Sequence, residues 1–159
     1  PAALAKENPT VIVMATPLTL KQEKFMTLLH RYTDCAHIIP LPCPGLADLI
    51  EGGDFDSERI HAYLRRIFEP FNREKIDSIV LGCTHYPLIS GAIRNEFGRD
   101  VAIFYGGEGT ARNTKKRLGD FGLLRDDTER VGNIEIINTL GSERLIELTK
   151  RIIAAGQEG

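Results

Sequence analysis

The run Leu81-Gly82-Cys83-Thr84-His85-Tyr86-Pro87 places a thiol, a hydroxyl and an imidazole at three consecutive positions. An apolar stretch, Ile79-Val80-Leu81, stops at the glycine, and Pro87 suits the first turn of a helix. In a parallel α/β sheet the carboxyl end of a strand faces the crevice where ligands bind, so side chains at such a junction meet substrate. A cysteine just before a helix N-terminus also lies near unpaired N–H groups, which favour a thiolate and a substrate carboxylate. Cys83 and His85, two positions apart, can address one pocket as an acid–base pair. The alternative is a buried structural cysteine beside a hydrogen-bonded histidine, since free cysteine is often buried. The strand–Gly–Cys–Thr–His–Tyr–Pro–helix order favours the reactive reading.

The rest of the chain supplies elements that could hold this loop. Val11-Ile12-Val13-Met14 is an apolar run of strand length between Pro9 and Pro17. A helix is expected from about Thr19, with Phe25, Leu28, Leu29 and Tyr32 on one face. Ala36 to Leu41 reads as a second strand, weakened by Pro40 and closed by Pro42-Cys43-Pro44. A short helix from Leu46 to Glu51 leads through Gly52-Gly53 to a longer one. That one is capped at Asp56 or Ser57 and buries Ile60, Tyr63, Leu64 and Ile67. Strand Ser78–Leu81 precedes the reactive loop, and a helix from Pro87 to Phe97 stops at Gly98. A strand at Val101–Phe104, a helix at Thr110–Leu118, a strand at Ile134–Ile137 and a helix from Ser142 complete the series. This alternation predicts an α/β fold, a parallel sheet flanked by helices on both faces.

Composition narrows the function classes. With 159 residues, 42% hydrophobic and 26% charged, the chain has the make-up of one ordinary globular domain. A formal charge of −2 with mixed signs predicts no nucleic-acid partner, and Lys115-Lys116-Arg117 reads as a solvated helix face. No apolar run approaches membrane-spanning length, so no membrane association is expected. Three cysteines without CxxC spacing do not form a disulfide framework, which predicts a reducing, cytoplasmic location.

Gly82-Cys83-Thr84-His85-Tyr86-Pro87 resembles the second catalytic signature of glutamate racemases, in the cofactor-independent aspartate/glutamate racemase superfamily. Three further stretches agree in order and spacing. They are Ala15-Thr16-Pro17-Leu18-Thr19, Pro42-Cys43-Pro44-Gly45-Leu46 leading to Ile50-Glu51, and Gly107-Glu108-Gly109-Thr110-Ala111-Arg112. The resemblance implies a racemase-like α/β fold, glutamate as the small-molecule substrate, no cofactor, and D-glutamate made for peptidoglycan. It makes Cys83 one of two proton-carrying cysteines, the base for L-glutamate. It makes His85 the group that tunes that thiol and contacts substrate, Thr84 a substrate-binding residue, and Glu51 a carboxylate near the histidine and the substrate amino group. For Glu51 the alternative is a helix-terminal residue before Gly52-Gly53.

Nothing in the 159 residues corresponds to the Asp-Ser pair or the Cys-Asn-Thr motif that mark the family's first half, and Tyr105-Gly106 stands where many relatives have Asp-Ser. The expectation is therefore the C-terminal half to two-thirds of a racemase. Residues 1–105 would form the inserted α/β domain, and 106–159 a segment returning to the first domain. The apolar positions Leu118, Phe121, Leu123, Leu124, Ile152 and Ile153 would then need covering, for which a homodimer is one arrangement. Two other functions stay open: a catalytically silent substrate-binding or interaction fragment, and a superfamily decarboxylase or isomerase.

Cys43, between two prolines, reads as a structural thiol. Gly106 to Thr110 reads as a glycine-rich turn into a capped helix and not a phosphate cradle, because it lacks the P-loop lysine. Zinc ligation by Cys83, His85, Cys43 and Glu51 is disfavoured by irregular spacing, so no metal is expected. His30, His37 and His61 are scattered and read as structural or exposed.

Overall fold

Short β-rich runs and amphipathic segments alternate along the first two-thirds of the chain, and each apolar run becomes a strand of one sheet. A computed structural model describes residues 6–72, 74–98, 100–127, 129 and 131–155. The chain divides into two compact units, Pro1–Tyr105 and Gly106–Gly159.

In the first unit, β1 (Thr10–Ala15), β2 (His37–Pro42), β3 (Ser78–Leu81) and β4 (Ala102–Tyr105) form a parallel sheet in the order β2-β1-β3-β4. The central pair is held in register by Ile12 opposite Ile79 and Met14 opposite Leu81. Connections run through α1 (Pro17–Leu20), α2 (Glu23–Tyr32), α3 (Leu46–Ile50), α4 (Glu58–Phe68) and α5 (Ser90–Phe97). The helix expected from Thr19 is two helices, because Gln22 is extended and starts α2 afresh. The helix expected from Pro87 begins as a 3-10 turn, Tyr86–Ile89, before α5. Gly98, at φ 136°, ends α5 in a conformation that only glycine adopts easily.

Alternation along the strands gives the sheet two unequal faces. Ile12, Met14, Ile79 and Leu81 join Leu46, Ile50, Ile60, Leu64, Phe68, Ile89 and Ile93 in the main apolar core under α3, α4 and α5. No residue of α2 is fully buried, and none belongs to that core.

An ion-pair clamp joins α4 to α5. His61 Nδ1 lies 2.6 Å from Glu96 Oε1 and its Nε2 lies 2.8 Å from Asp56 Oδ1. Arg65 pairs with the same Glu96 at 3.0 Å and with Glu58. Hydrogen bonds to Asp56 and then to Glu96 raise the His61 pKa above its ordinary value. A raised folded-state pKa gives stability that is complete below the unfolded value of about 6.5 and fades as pH rises through the folded one. The difference in unfolding midpoint between the parent and His61→Gln should therefore be larger at pH 6 than at pH 9. An equal difference at both would remove the imidazolium from the account.

In the second unit, α6 (Gly107–Asp120) starts three residues earlier than the expected Thr110, with the Thr110 N–H bonded to Gly106 O at 2.9 Å. The Gly107–Gly109 stretch is thus a helical first turn and not a loop. Glu108 favours this turn by lying near the helix N-terminus and pairing with Arg112. Gly122, at φ 65°, closes α6: its N–H bonds to Gly119 O at 3.0 Å, and Leu123 N–H bonds to Leu118 O at 2.8 Å. The strand expected at Ile134–Ile137 is not formed. No strand pairs with it among the described residues, and Ile134 and Ile137 are exposed. Leu118, Phe121, Leu123 and Leu124 are also exposed, whereas Ile152 and Ile153 are half-buried. The last helix, α7, spans Glu143–Ala155, with Leu145 N–H donating to Ser142 Oγ at 3.4 Å.

Candidate active site

The chain leaves β1 toward β2 on one side and returns to β3 on the other, so the strand order reverses between β1 and β3. In open α/β sheets that reversal opens a crevice at the carboxyl ends of the strands. β3 ends at Leu81, and the next residues are Gly82, Cys83, Thr84 and His85. Gly82 continues the ladder by one bond, its N–H donating to Met14 O at 2.8 Å. A Cβ there would lie 3.1 Å from both Ala15 Cβ and Met14 O, a tight contact, so glycine lets the loop run this close to β1 without pushing the strand aside. Gly82→Ala should destabilise the first unit by about 1–3 kcal/mol, the range for overpacking a tight site. Chemical denaturation measures this, and an unchanged midpoint would mean the two strands separate freely.

Three of the sequence-selected side chains come together here. Cys83 Sγ is 3.7 Å from His85 Nδ1, and His85 Nε2 is 3.0 Å from Glu51 Oε1. A carboxylate can only accept, so its bond assigns the proton of neutral His85 to Nε2 and leaves the Nδ1 lone pair facing the thiol. The imidazole can therefore take the Cys83 proton, and Glu51 would stabilise the resulting imidazolium. Glu51 reaches this position because Leu46 and Ile50 bury the inner face of α3, leaving the residue that follows the helix at the rim. Cys83 and His85 are half-buried, while Thr84 and Glu51 are exposed.

The other thiols differ in setting. Cys43 is buried, and desolvation pushes its pKa up to about 12. Cys35 is exposed just before β2, at the amino end of the sheet and away from the crevice. Among the described residues, no group of three or more His, Cys, Asp or Glu side chains is arranged to hold a metal ion. No helix of the described residues is long and apolar enough to cross a membrane.

Two tyrosines escape a reading by residue type. Tyr63 and Tyr86 count as core, yet both phenols end on the turn that opens α3. Tyr63 donates to Pro44 O at 3.0 Å and Tyr86 to Cys43 O at 3.4 Å. Burial raises the Tyr63 pKa to about 12 and that of Tyr86 above its ordinary value, keeping both as donors at neutral pH. Thr16 likewise caps α1, accepting from Thr19 N–H at 3.2 Å at the carboxyl end of β1.

A parallel sheet of this order, with a Cys–Thr–His loop after its third strand, has the aspartate/glutamate racemase-like α/β fold. No family model matches the chain. Its relatives are glutamate racemases: it is 42% identical to the enzyme of Clostridium perfringens over 153 residues and 38% identical to that of Clostridium acetobutylicum. Each alignment covers 96% of this chain, but 58% of the first relative and 59% of the second, so the chain spans somewhat more than half their length. Among solved structures, Escherichia coli glutamate racemase in complex with L-glutamate and the activator UDP-MurNAc-Ala superposes with a TM-score of 0.74 at 28% identity. That match covers 95% of this chain and 57% of the other.

Proposed function

We propose that this chain carries one proton-transfer face of a glutamate racemase that uses no cofactor, with Cys83 as the proton carrier. The thiol–imidazole–carboxylate line at the carboxyl end of β3 is the observation that carries this reading, and the names of the relatives supply the substrate. Removing the weakly acidic Cα proton of glutamate without a cofactor requires a positioned base and a field that steadies the carbanion-like transition state. Cys83 would take the proton from L-glutamate as thiolate, and return it when the reaction runs backward. His85 would hold the thiol's proton and Glu51 the histidine's orientation. Thr84, exposed beside Cys83, would bind substrate through its hydroxyl and backbone N–H. D-Glutamate for peptidoglycan would be the product.

Racemisation needs a second proton carrier on the opposite face of Cα. Within this chain, neither buried Cys43 nor Cys35 at the far end of the sheet is placed to serve. The test is loss of the Cα deuteron from L- and D-[2-²H]glutamate in ordinary water. With the 159 residues alone, exchange should be confined to one enantiomer or absent, and racemisation negligible. Sustained racemisation by this chain would exclude the two-thiol reading. Glutamate binding with no exchange in a full-length protein carrying the sequence would favour a silent binding role.

A further inference from the structure

Glu51 reaches His85 from a different element, so the 3.0 Å separation depends on how α3 is docked against the Cys83–His85 loop. The helix is only five residues long; Leu46 and Ile50 bury its inner face, and its N-terminal turn, Cys43-Pro44-Gly45, is held by hydrogen bonds. Cys43 N–H donates to Ala15 O at 2.9 Å, tying the turn to β1, and Gly45 adopts φ 75° to redirect the chain. The two consecutive carbonyls of this turn accept the phenols of Tyr63, from α4, and Tyr86, the residue directly after His85. Tyr86 is fully buried and Tyr63 nearly so. The Tyr86 bond therefore links the reactive loop to α3 internally, without passing through solvent or the far side of the sheet.

We propose that Tyr63 and Tyr86 are positioning residues, a pair of phenolic braces that set the docking of α3 and so the approach of Glu51 to His85. The proposal rests on the site described above but not on the identity of the substrate. Two titratable side chains face His85 with hydrogen bonds, Cys83 from its own loop and Glu51 from α3. Both phenols donate to backbone oxygens of the turn, and Tyr86 also lies against the Cys43 thiol, so the braces are tied to the turn and make no hydrogen bond to the imidazole.

The experiment compares Tyr63→Phe, Tyr86→Phe, Glu51→Gln and each Tyr→Phe variant combined with Glu51→Gln. Phenylalanine keeps the ring that packs and removes only the donor, and Tyr63→Phe, at the more accessible position, guards against misfolding of Tyr86→Phe. Two readouts are taken at fixed pH: the iodoacetamide labelling rate of Cys83 by peptide mapping, and the His85 tautomer from its ring ¹⁵N shifts. Each Tyr→Phe change should reduce the Nε2–H tautomer and change the labelling rate at least about threefold in the same direction as Glu51→Gln. The double variants should show no further change, since residues in one network are not additive. A Tyr→Phe effect that persists undiminished without the Glu51 carboxylate would overturn the brace. Wild-type labelling and tautomer in both Tyr→Phe variants, while Glu51→Gln shifts them, would overturn it as well. No glutamate turnover enters either readout, so failure of the racemase reading would be seen separately, in the deuterium exchange.

Discussion

Under the proposed role, replacing Cys83 with alanine in a full-length protein carrying this sequence should lower exchange of the Cα deuteron of glutamate by about 10³-fold or more, in keeping with the roughly 10²–10⁴-fold worth of a positioned proton carrier. Serine should rescue little, because its hydroxyl is a far weaker acid than a thiol and His85 would have to remove a much more tightly held proton. The fold should survive, because Cys83 is only partly buried and lies after the end of β3. Circular dichroism and the unfolding midpoint serve as controls. His85→Asn should reduce exchange while leaving the thiol in place, since asparagine can hydrogen-bond but cannot carry the proton. Alanine at position 83 with exchange near the parent rate would end the assignment of this loop to chemistry.

The largest expected loss of stability comes from the far end of the core. Phe68 is 1% exposed at the C-terminus of α4, and its ring meets Phe97 of α5 edge to face, with centroids 4.9 Å apart at 80°. Phe68→Ala should cost about 3–5 kcal/mol, combining lost transfer energy with the cavity left behind. Phe68→Leu keeps much of the volume and should cost less than about 2 kcal/mol. A domain of ordinary stability has only about 5–15 kcal/mol to lose, so the alanine variant should leave the first unit close to unfolding. Hydrogen exchange at the amides of β1 and β3 isolates that unit from the second, which a single melting curve would not. Protection of those amides unchanged in Phe68→Ala would show that α4 and α5 do not stabilise the sheet.

The first unit was legible because its signals are local and mutually consistent. Ser78–Leu81 is a short apolar run cut off by a glycine, and the observed strand has those bounds. The pairing of Cys83 with His85 follows from a spacing of two positions. Glu51 is different: 34 positions separate it from His85, and the family resemblance pointed to it where periodicity alone would not. Tyr63 shows the limit, because helical spacing places its ring in the core but says nothing about which carbonyl its hydroxyl meets. At Ile134–Ile137 the apolar pattern resembles that of the true strands, yet a strand requires a neighbour for its hydrogen bonds, and composition does not report one. The start of α6 was misplaced because three glycines within Gly106–Gly109 read as a turn, while the Glu108–Arg112 pair and the helix-end field favour continuing the helix.

The order β2-β1-β3-β4 also gives the sheet a direction of growth. Pro40 and Pro42 both lie in β2, and each removes one N–H that a further strand would require. β4, at the opposite end, contains Ala102, Ile103, Phe104 and Tyr105, none of which blocks pairing in that way. An extended peptide arriving at this sheet would find one margin chemically closed and the other permissive. Any misassembly by strand addition during refolding should therefore nucleate at β4. A single proline at a β4 position whose N–H faces away from β3 would then suppress it, whereas further changes to the already closed margin would not.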